Sequence, residues 1–436
     1  DVRLKMHLLR FHPPGVFVMK SFAPCARVLD LLLLVLVGYR PVEAWEWLRN
    51  LMGQERQPWT AGSGRERKPL GAKYELIALA GGEALPKVEL EDFSSELFHS
   101  NFSNQRPFVL KGLASRWPAN KHWVWLALVD PQGRYSRYSK SLSAGFERYF
   151  PASGIDSEQL TNETLFFNDL VSYSPFGIDC PLRQVTDQRG GAAGLFGGNF
   201  LPRLTSARAA AHRKGVDAGL IDPGSDSLKS NRNYVIAGHA GSGSLLHPDP
   251  QAEAYWNAVI SGRKRWMFLR DEDLTSLSAA IAGKGGALVD TVLSLGIDEL
   301  ADIGKPPGHI VERIRESLLH MRAGNWYGEF LPLLVSASIT FPHQHVVVEA
   351  GEMIYGPPRV FHIVLALEDS IGCSEQIINE FNLEDWVRET GPELDPEEAY
   401  LSCEAVRSTW PELMAPFASF CDRAERELRL AVGAEL

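Results

Sequence analysis

Two residues in the middle of the chain have the types and spacing of metal ligands. His247 and Asp249 are separated by a single proline, so an extended segment would direct both side chains to one face. A second histidine, His362, follows residues 351–357 far downstream. Two histidines and one carboxylate can bind one face of an iron(II) ion and leave the opposite face open for substrates and oxygen. We therefore predict His247, Asp249 and His362 as the metal ligands and catalytic residues.

Sequence blocks around these residues resemble those of JmjC-domain proteins. This family comprises iron(II)- and 2-oxoglutarate-dependent oxygenases built on the cupin barrel. The resemblance runs from about residue 93 to 382, and its first blocks are similar to the segment that precedes the barrel in the smaller JmjC hydroxylases. In chain order, the matching blocks are residues 93–97, 106–113 and 117–118, then His247-Pro248-Asp249, Trp256-Asn257, Lys264-Arg265-Trp266, Gly351-Glu352 and His362.

The resemblance implies a mainly β fold with flanking helices (α+β), in which a double-stranded β-helix, or jelly-roll (cupin) barrel, forms the catalytic domain. Short strand-like segments on both sides of a helical stretch are consistent with such a barrel. We assign the catalytic domain to residues 89–382, with a mainly helical insertion at 271–340, and a C-terminal helical segment to 383–436. Residues 45–88 are predicted to form a linker.

Two segments of this domain carry local helix signals. Residues 89–104 have the apolar spacing of a helix, with Asp92 near its start. Residues 190–213 are rich in glycine, alanine and arginine, which predicts a flexible loop that leads into a short helix.

The resemblance also implies iron(II), 2-oxoglutarate as cosubstrate, and O2. A carboxylate of 2-oxoglutarate inside a barrel needs a cation to offset its desolvation, and Lys264 occupies the position of the family's cosubstrate lysine. Asn257, Ser244 and Ser374 match positions at which the family makes polar contacts with the cosubstrate. Each serine has an alternative role, because a barrel hydroxyl can instead hydrogen-bond to the backbone.

Other basic side chains and histidines near these positions are predicted to lie outside the site. Arg263 and Arg265 flank the predicted lysine and alternate to the opposite face of its strand, so we expect them to be solvated. His343 and His345 share one face of an extended segment, but their position is outside the family's pattern. A packed strand or a solvated loop explains that pair, and His239 is interpreted in the same way.

The first 44 residues have the features of a secretory signal peptide. A basic flank precedes an apolar run of about ten residues, and Val42-Glu43-Ala44 matches a small-residue cleavage pattern. The apolar run is too short to span a bilayer, so no stable membrane span is expected. Asp30, inside the run, keeps an N-terminal hydrophobic helix or an interfacial anchor as the alternative. A signal peptide would direct the chain to the secretory pathway or endoplasmic reticulum lumen, and otherwise the nucleus or cytoplasm is expected.

Cysteine usage is consistent with an oxidising compartment. Beyond residue 44 the chain has Cys180, Cys373, Cys403 and Cys421, which could form two disulfides in three alternative pairings. Their spacing matches no zinc-binding pattern. The sequence therefore leaves the pairing open.

Charge and the identity of the acidic ligand narrow the function. The net charge of −10 argues against nucleic acid, whose phosphates need a basic surface, and we expect a protein or peptide substrate. The acidic ligand is Asp249, as in the hydroxylase-like members of the family, whereas many demethylases carry glutamate. We therefore predict a dioxygenase that hydroxylates a protein side chain. The alternatives are a lysine demethylase and a non-catalytic JmjC-like binding or scaffold protein of the secretory pathway.

Overall fold

A computed structural model describes most of the chain beyond the N-terminal region. The predicted signal peptide and most of the predicted linker lie outside the described residues and stay predictions. In the described part of the chain, no helix has the length and the apolar character needed to cross a bilayer. The described residues are 81–123, 165–168, 176–185, 195–223, 232–296, 310–389 and 395–433, together with Tyr74, Arg134 and Arg137.

Two β-sheets form the centre of the fold. The strands are β1 (Gly82–Ala84), β2 (Lys87–Glu89), β3 (Phe108–Lys111), β4 (Leu165–Asn168), β5 (Asn233–Gly238), β6 (Gly243–His247), β7 (Ala254–Ser261), β8 (Lys264–Leu269), β9 (His343–Val348), β10 (Met353–Gly356), β11 (Phe361–Ala366) and β12 (Ser370–Ile377). One sheet has five strands in the order β1-β9-β8-β11-β6, and the other has seven in the order β2-β3-β10-β7-β12-β5-β4. The pairs β1–β9 and β2–β3 are parallel, and the other pairs are antiparallel.

The chain passes repeatedly between the two sheets. Strands β5, β7, β10 and β12 belong to the seven-stranded sheet, whereas β6, β8, β9 and β11 belong to the five-stranded sheet. Side chains alternate between the faces of each strand, so every strand has an inner and an outer set. An apolar cluster drawn from both sheets, which includes Val259, Ile354, Trp266 and Phe268, is buried together. The inner faces of the two sheets therefore pack against each other at this end.

Helices cover the outer faces. They are α1 (Ser95–Asn101), α2 (Ala119–His122), α3 (Phe176–Asp179), α4 (Leu182–Val185), α5 (Leu201–Asp217), α6 (Asp271–Lys284), α7 (Gly286–Gly296), α8 (Ile310–Leu319), α9 (Ala323–Asn325), α10 (Leu331–Ser336), α11 (Leu383–Arg388), α12 (Pro396–Thr409) and α13 (Ala418–Ala431), with a π-helical turn at Trp326–Phe330. Helices α6 to α10 join β8 to β9 and bury residues such as Leu274 and Leu318 against Met267 and Ile363 of the five-stranded sheet. The segment before β5 packs on the seven-stranded sheet, and α5 packs with the C-terminal helices.

Two disulfides connect these layers. Cys180, which follows α3, is bonded to Cys373 of β12, and Cys403 of α12 is bonded to Cys421 of α13. All four sulfur-bearing side chains are buried. This is one of the three pairings that the sequence allows, and it ties the interior strand β12 to the helical layer outside the sheet.

Two local predictions are corrected by the structure. The helix predicted at 89–104 is wrong in its first part, because Glu89 belongs to β2 and α1 begins only at Ser95. The hydroxyl of Ser94 accepts a hydrogen bond from the amide of Leu97 at 3.1 Å and so caps the helix at that point. Strands β1 and β2 also occupy the end of the range predicted as a linker.

The second correction concerns the segment predicted as a loop leading to a short helix. Helix α5 has 17 residues, because its apolar face is covered on packing. Leu201 and Leu204 are buried against the C-terminal helices, and the guanidinium of Arg208 donates to Glu398 of α12 at 2.6 Å. Tertiary contacts therefore add to an alanine and arginine content that already favours a helix.

Candidate metal centre

The three predicted metal ligands meet where β6 and β11 pair. His247 ends β6 and lies opposite His362 of β11, and their ring centroids are 4.4 Å apart. Asp249 follows two residues after His247, with its Oδ1 4.0 Å from the Nε2 of His247. The potential ligand atoms of the three side chains all lie within 4.8 Å of one another. This spacing allows one ion to contact all three residues.

Backbone hydrogen bonds orient both imidazoles. The Nδ1 of His247 is 2.7 Å from the carbonyl of Leu245, and the Nδ1 of His362 is 3.3 Å from the carbonyl of Val360. A carbonyl can only accept, so each Nδ1 carries the proton and each Nε2 keeps its lone pair. That tautomer is the one in which Nε2 can bind a metal ion.

Prolines hold Asp249 in an extended conformation. Its φ and ψ are −67° and 143°, as expected for a residue before proline. After Pro250, Gln251 and Ala252 have positive φ values of 57° and 49°, and the chain turns there into β7. The carboxylate is thereby directed toward the histidines.

A β-bulge explains why Ser244 and His247 reach the same cavity although they are three residues apart. His362 is opposite His247, but Val364, only two residues further along β11, is opposite Ser244. One extra residue is therefore accommodated in β6, and it changes the side-chain alternation. Strict alternation would have separated these two side chains.

A cavity of about 340 Å³ lies next to the triad. It is lined from both sheets and includes every predicted site residue. Lys264 is the first residue of β8 in one sheet, and Asn257 lies opposite Ser374 on adjacent strands of the other. The described residues that line the cavity are Arg232, Tyr234, Ile236, Gly243, Ser244, His247, Asp249, Pro250, Tyr255, Asn257, Lys264, Trp266, His362, Val364, Ala366, Ser374 and Gln376.

The polar atoms of this cavity are poorly satisfied within the protein. The buried Ser244 Oγ, Tyr255 hydroxyl, Asn257 Oδ1 and Trp266 Nε1 have no hydrogen-bond partner among the described residues. Ser374 differs, because its hydroxyl donates to the carbonyl of Trp256 at 2.5 Å. Its oxygen can still accept a hydrogen bond, but its proton is engaged, as in the alternative role foreseen for the serines.

The side chain of Lys264 is almost fully buried. It is 4% exposed, and no carboxylate in the described part of the chain pairs with it. Burial lowers the pKa of Lys264 to about 8, because the charged form loses hydration. Unpaired buried charges and orphaned donors are costly, so this end of the cavity fits a polar anion that would contact Lys264.

The side chains at the metal end are also affected by burial. Desolvation raises the pKa of Asp249 to about 6, although His247 and Arg232 oppose the rise. Desolvation and the neighbouring His247 lower the pKa of His362 well below 6.5. An incoming cation would stabilise the ionised carboxylate and the neutral imidazole, which are the forms that ligate metals.

The arginines beside Lys264 differ from the prediction in one case. Arg263 points outward, and its Nε donates a hydrogen bond to the carboxylate of Glu368 at 2.7 Å. Arg265 was expected to be solvated, and this is wrong, since only 1% of it is exposed. Its guanidinium lies 4.7 Å from the centroid of the Tyr327 ring and donates to the carbonyl of Tyr74. The helices between β8 and β9 cover this face of the sheet and bury the arginine.

The other histidines lie away from the triad. His343 and His345 are on β9, as the packed-strand interpretation requires. His343 is buried, and desolvation lowers its pKa to about 4. His239 is buried as well, with its Nδ1 3.1 Å from the carbonyl of Ala240. In the described chain, the group spaced for a metal ion is formed by His247, Asp249 and His362 alone.

Four polar cavity residues were not predicted. Tyr255 and Gln376 are two residues away from Asn257 and Ser374, respectively, so strand alternation would have placed them on the same faces. Tyr234 lies on β5 and Arg232 directly before that strand, both more than ten positions before His247, and neither carried a comparable signal.

Comparison with known proteins gives three relatives of low identity. The chain is 24% identical to lysine-specific demethylase JMJ21 of Arabidopsis thaliana over 298 residues, 68% of this chain and 25% of the relative. It is 26% identical to arginine-specific demethylase JMJ22 of the same plant over 325 residues, 73% of this chain and 49% of the relative. The bifunctional arginine demethylase and lysyl-hydroxylase psr-1 of Caenorhabditis elegans is 19% identical over 305 residues, 69% of this chain and 63% of the relative. No protein-family model matches the chain.

These three relatives, at low identity, support assigning the chain to the JmjC family. Its matches span less than two thirds of the length of each of these relatives. JmjC family members use iron(II) and 2-oxoglutarate. The donor set of His247, Asp249 and His362 fits iron(II), and the unpaired Lys264 with its orphaned polar neighbours fits a dicarboxylate. This chain therefore has the residue types that both groups need.

Metal binding by the triad is expected to weaken as the pH falls below about 6. Above that pH the carboxyl of Asp249 is ionised, whereas below it a bound metal ion must displace a proton. The dissociation constant for Mn(II) should therefore rise by up to about tenfold per pH unit on the acidic side. The lowered pKa of His362 leaves that imidazole neutral over the same interval. Calorimetric titrations at a series of pH values measure this, and a constant affinity through pH 6 would contradict it.

Proposed function

We propose that this protein is an iron(II)- and 2-oxoglutarate-dependent dioxygenase that hydroxylates a side chain of a protein substrate. One observation carries the proposal: the predicted triad and the unpaired Lys264 face the same cavity. The triad alone would suit many metal sites. A buried cation at the far side of the cavity has a purpose only if an anion binds there.

Each residue has a defined task in this reaction. The Nε2 atoms of His247 and His362 and the carboxylate of Asp249 would hold the metal on one face. Lys264 would bind the remote carboxylate of the cosubstrate, and Asn257 would contribute a polar contact beside it. Bound iron(II), with 2-oxoglutarate and O2, supplies the oxidation of a substrate C–H bond. The enclosing sheets keep bulk water away from the buried ends of the site, which strengthens these electrostatic contacts.

The two sheets fit the double-stranded β-helix that we propose for this domain. From β5 to β8 each strand lies in the opposite sheet from its predecessor, and β10 to β12 alternate in the same way. A jelly roll has this connectivity. The helical insertion between β8 and β9 then extends the five-stranded side without interrupting the metal-binding strands.

The charge of the cavity favours a neutral or acidic target side chain over a methylated lysine or arginine. Asp249 is the one carboxylate among the described lining residues, and metal binding would use it. The guanidinium of Arg232 is part of the wall, where it bonds Gln251 at 3.2 Å and the buried Glu253. A cationic target would have no spare anion to contact. Demethylation is the second candidate, and the names of the relatives favour it.

We further propose that the protein works in the secretory pathway. The two disulfides support an oxidising compartment, and the hydrophobic segment near the N-terminus supports targeting there. Immunolocalisation of the endogenous protein tests this subcellular location. A chain found with four free thiols in the cytoplasm or nucleus would oppose it.

The function is tested with the full chain, Fe(II), and 2-oxoglutarate labelled at the carbon that is released as CO2. We expect labelled CO2 to be released with succinate as the other product, and candidate substrate proteins to gain the mass of one oxygen. The Asp249→Ala variant should lose both signals, which controls for adventitious iron. Formaldehyde release from methylated peptides, coupled to succinate, would instead assign demethylation. Absence of succinate with every protein pool, despite a loaded metal site, would favour the non-catalytic binding role.

A further inference from the structure

Gln376 connects the metal centre to the opposite wall of the cavity. It lies on β12, two residues after Ser374, and is 8% exposed. Burial raises the pKa of Asp249, and a hydrogen bond from the side chain of Gln376 is one of the contacts that lower it. The hydroxyl of Tyr234, on the adjacent strand β5, donates to the Oε1 of Gln376 at 3.3 Å. All three side chains line the cavity.

These contacts fix which end of the amide faces Asp249. A glutamine amide has one accepting oxygen and one donating NH2 group. Because the Tyr234 hydroxyl donates to the oxygen, the NH2 group is left to face the carboxyl. An ionised carboxylate can only accept hydrogen bonds, so the observed arrangement matches the form that binds metal.

The backbone of Gln376 is also firmly held. Its amide donates to the carbonyl of Arg232 at 2.9 Å, and its carbonyl accepts from the side chain of the buried Asn199 at 2.9 Å. Strand β12 is paired on both sides, with β7 and β5. The amide therefore reaches Asp249 from a fixed point, and Tyr234 restricts its remaining rotation.

We propose that Gln376, oriented by Tyr234, is a positioning residue that directs Asp249 to bind the metal through one oxygen while the other oxygen accepts the amide hydrogen. The proposal rests on the proposed metal site. A carboxylate that binds through one oxygen occupies one coordination position, and the face opposite the triad stays open. Hydrogen-bond partners of this kind set the orientation and affinity of metal ligands.

Arg232 is the main alternative explanation for an effect on metal binding by Asp249, because its positive charge also acts on that carboxyl. However, its guanidinium already donates to Glu253 and Gln251. A charge effect of Arg232 would be independent of Tyr234. A positioning effect of Gln376 would depend on it, and this difference can be measured.

The experiment is a double-mutant cycle on Mn(II) affinity, measured by calorimetry and by electron paramagnetic resonance of unbound Mn(II). Gln376→Leu is expected to weaken binding by about ten- to a hundredfold, the range found for partners of ligand residues. Tyr234→Phe should weaken it in the same direction by a smaller factor. In the Gln376→Leu background, Tyr234→Phe should have no further effect. Gln344→Leu, on β9 and outside the cavity lining, is the matched control and should match the parent protein.

Two results would overturn the inference. One is a Gln376→Leu protein with unchanged melting temperature and Mn(II) affinity within twofold of the parent. The other is a Tyr234→Phe loss that persists undiminished in the double variant. If Gln376→Leu fails to fold, Tyr234→Phe alone decides, because it removes only a hydroxyl and must still weaken metal binding. Since turnover is not the readout, a positive cycle without succinate formation would reject the proposed function and keep this inference.

Discussion

Replacing His247 by alanine is expected to abolish stoichiometric Fe(II) and Mn(II) binding while the protein stays folded. The side chain of His247 is 42% exposed, so its removal creates no buried cavity. The loss of a direct ligand should exceed the roughly ten- to hundredfold effect of losing a ligand's hydrogen-bond partner. Metal content after dialysis and the melting temperature measure the two quantities separately.

His362→Ala should remove the metal as completely, but with a cost in stability. This ring is 4% exposed and packs 4.8 Å from Tyr255 and 5.8 Å from Trp266 between ring centroids. Deleting it leaves a void, so the melting temperature should fall. His343→Ala is the matched control, because it removes a buried strand histidine outside the triad. Metal binding that survived His247→Ala but was lost in His343→Ala would mean that the ligands are misassigned.

Lys264→Met is expected to raise the Michaelis constant for 2-oxoglutarate at least about a hundredfold, with Fe(II) affinity nearly unchanged. Breaking a buried ion pair from one side costs about 3–5 kcal/mol, and each 1.4 kcal/mol is about a factor of ten in affinity. Methionine keeps the length and the apolar stem of the side chain. Cosubstrate binding can be measured without turnover, by calorimetry on the Mn(II)-loaded protein under nitrogen.

The ligand-free Lys264→Met protein should be at least as stable as the parent. Burial already lowers the pKa of Lys264 to about 8, so removal of an uncompensated charge relieves a desolvation penalty. Lower affinity together with equal or greater stability is the signature of a binding residue. Arg263→Met is the control, since Arg263 bonds Glu368 outside the cavity. Unaltered 2-oxoglutarate binding in Lys264→Met would assign the countercharge to another residue.

The sequence predicts His247 and Asp249 because their evidence is local, whereas His362 is predicted from the block that precedes it and from the family resemblance. His-x-Asp spacing on an extended segment is a short-range property, and the structure brings both residues together with His362. Strands β5, β8 and β11 carry an apolar pattern that is local in the same sense. These elements need no knowledge of what packs on them.

Strand β12 gives a weak sequence signal, because one face is polar and Glu375 interrupts the apolar Ile371, Cys373 and Ile377 on the other. All eight of its residues are buried, yet Ser374 and Gln376 face a polar cavity. On the other face, Glu375 is bonded to Trp256 and Asn199, and Cys373 forms a disulfide. Its burial comes from two neighbouring strands and a helical layer, which are all distant in sequence.

The burial of Arg265 could not be predicted from the sequence for a related reason. Alternation places it on the face opposite Lys264, but it does not say whether water or protein covers that face. The covering helices lie between β8 and β9, and Tyr327 receives the guanidinium. The disulfide pairing is equally non-local, since Cys180 and Cys373 are 193 positions apart.

The structure of β12 predicts that this protein does not tolerate insertions or deletions in that strand. Its two faces hold different chemistry, with a hydroxyl and an amide inside and a sulfur and a carboxylate outside. Loss or gain of one residue within the strand would move the side chains that follow it to the opposite face of the sheet. A carboxylate would then enter the cavity, and the cysteine would lose its bonded partner. A substitution in β12 changes one side chain at a time. An insertion or deletion of one residue in the strand removes the site and the disulfide together.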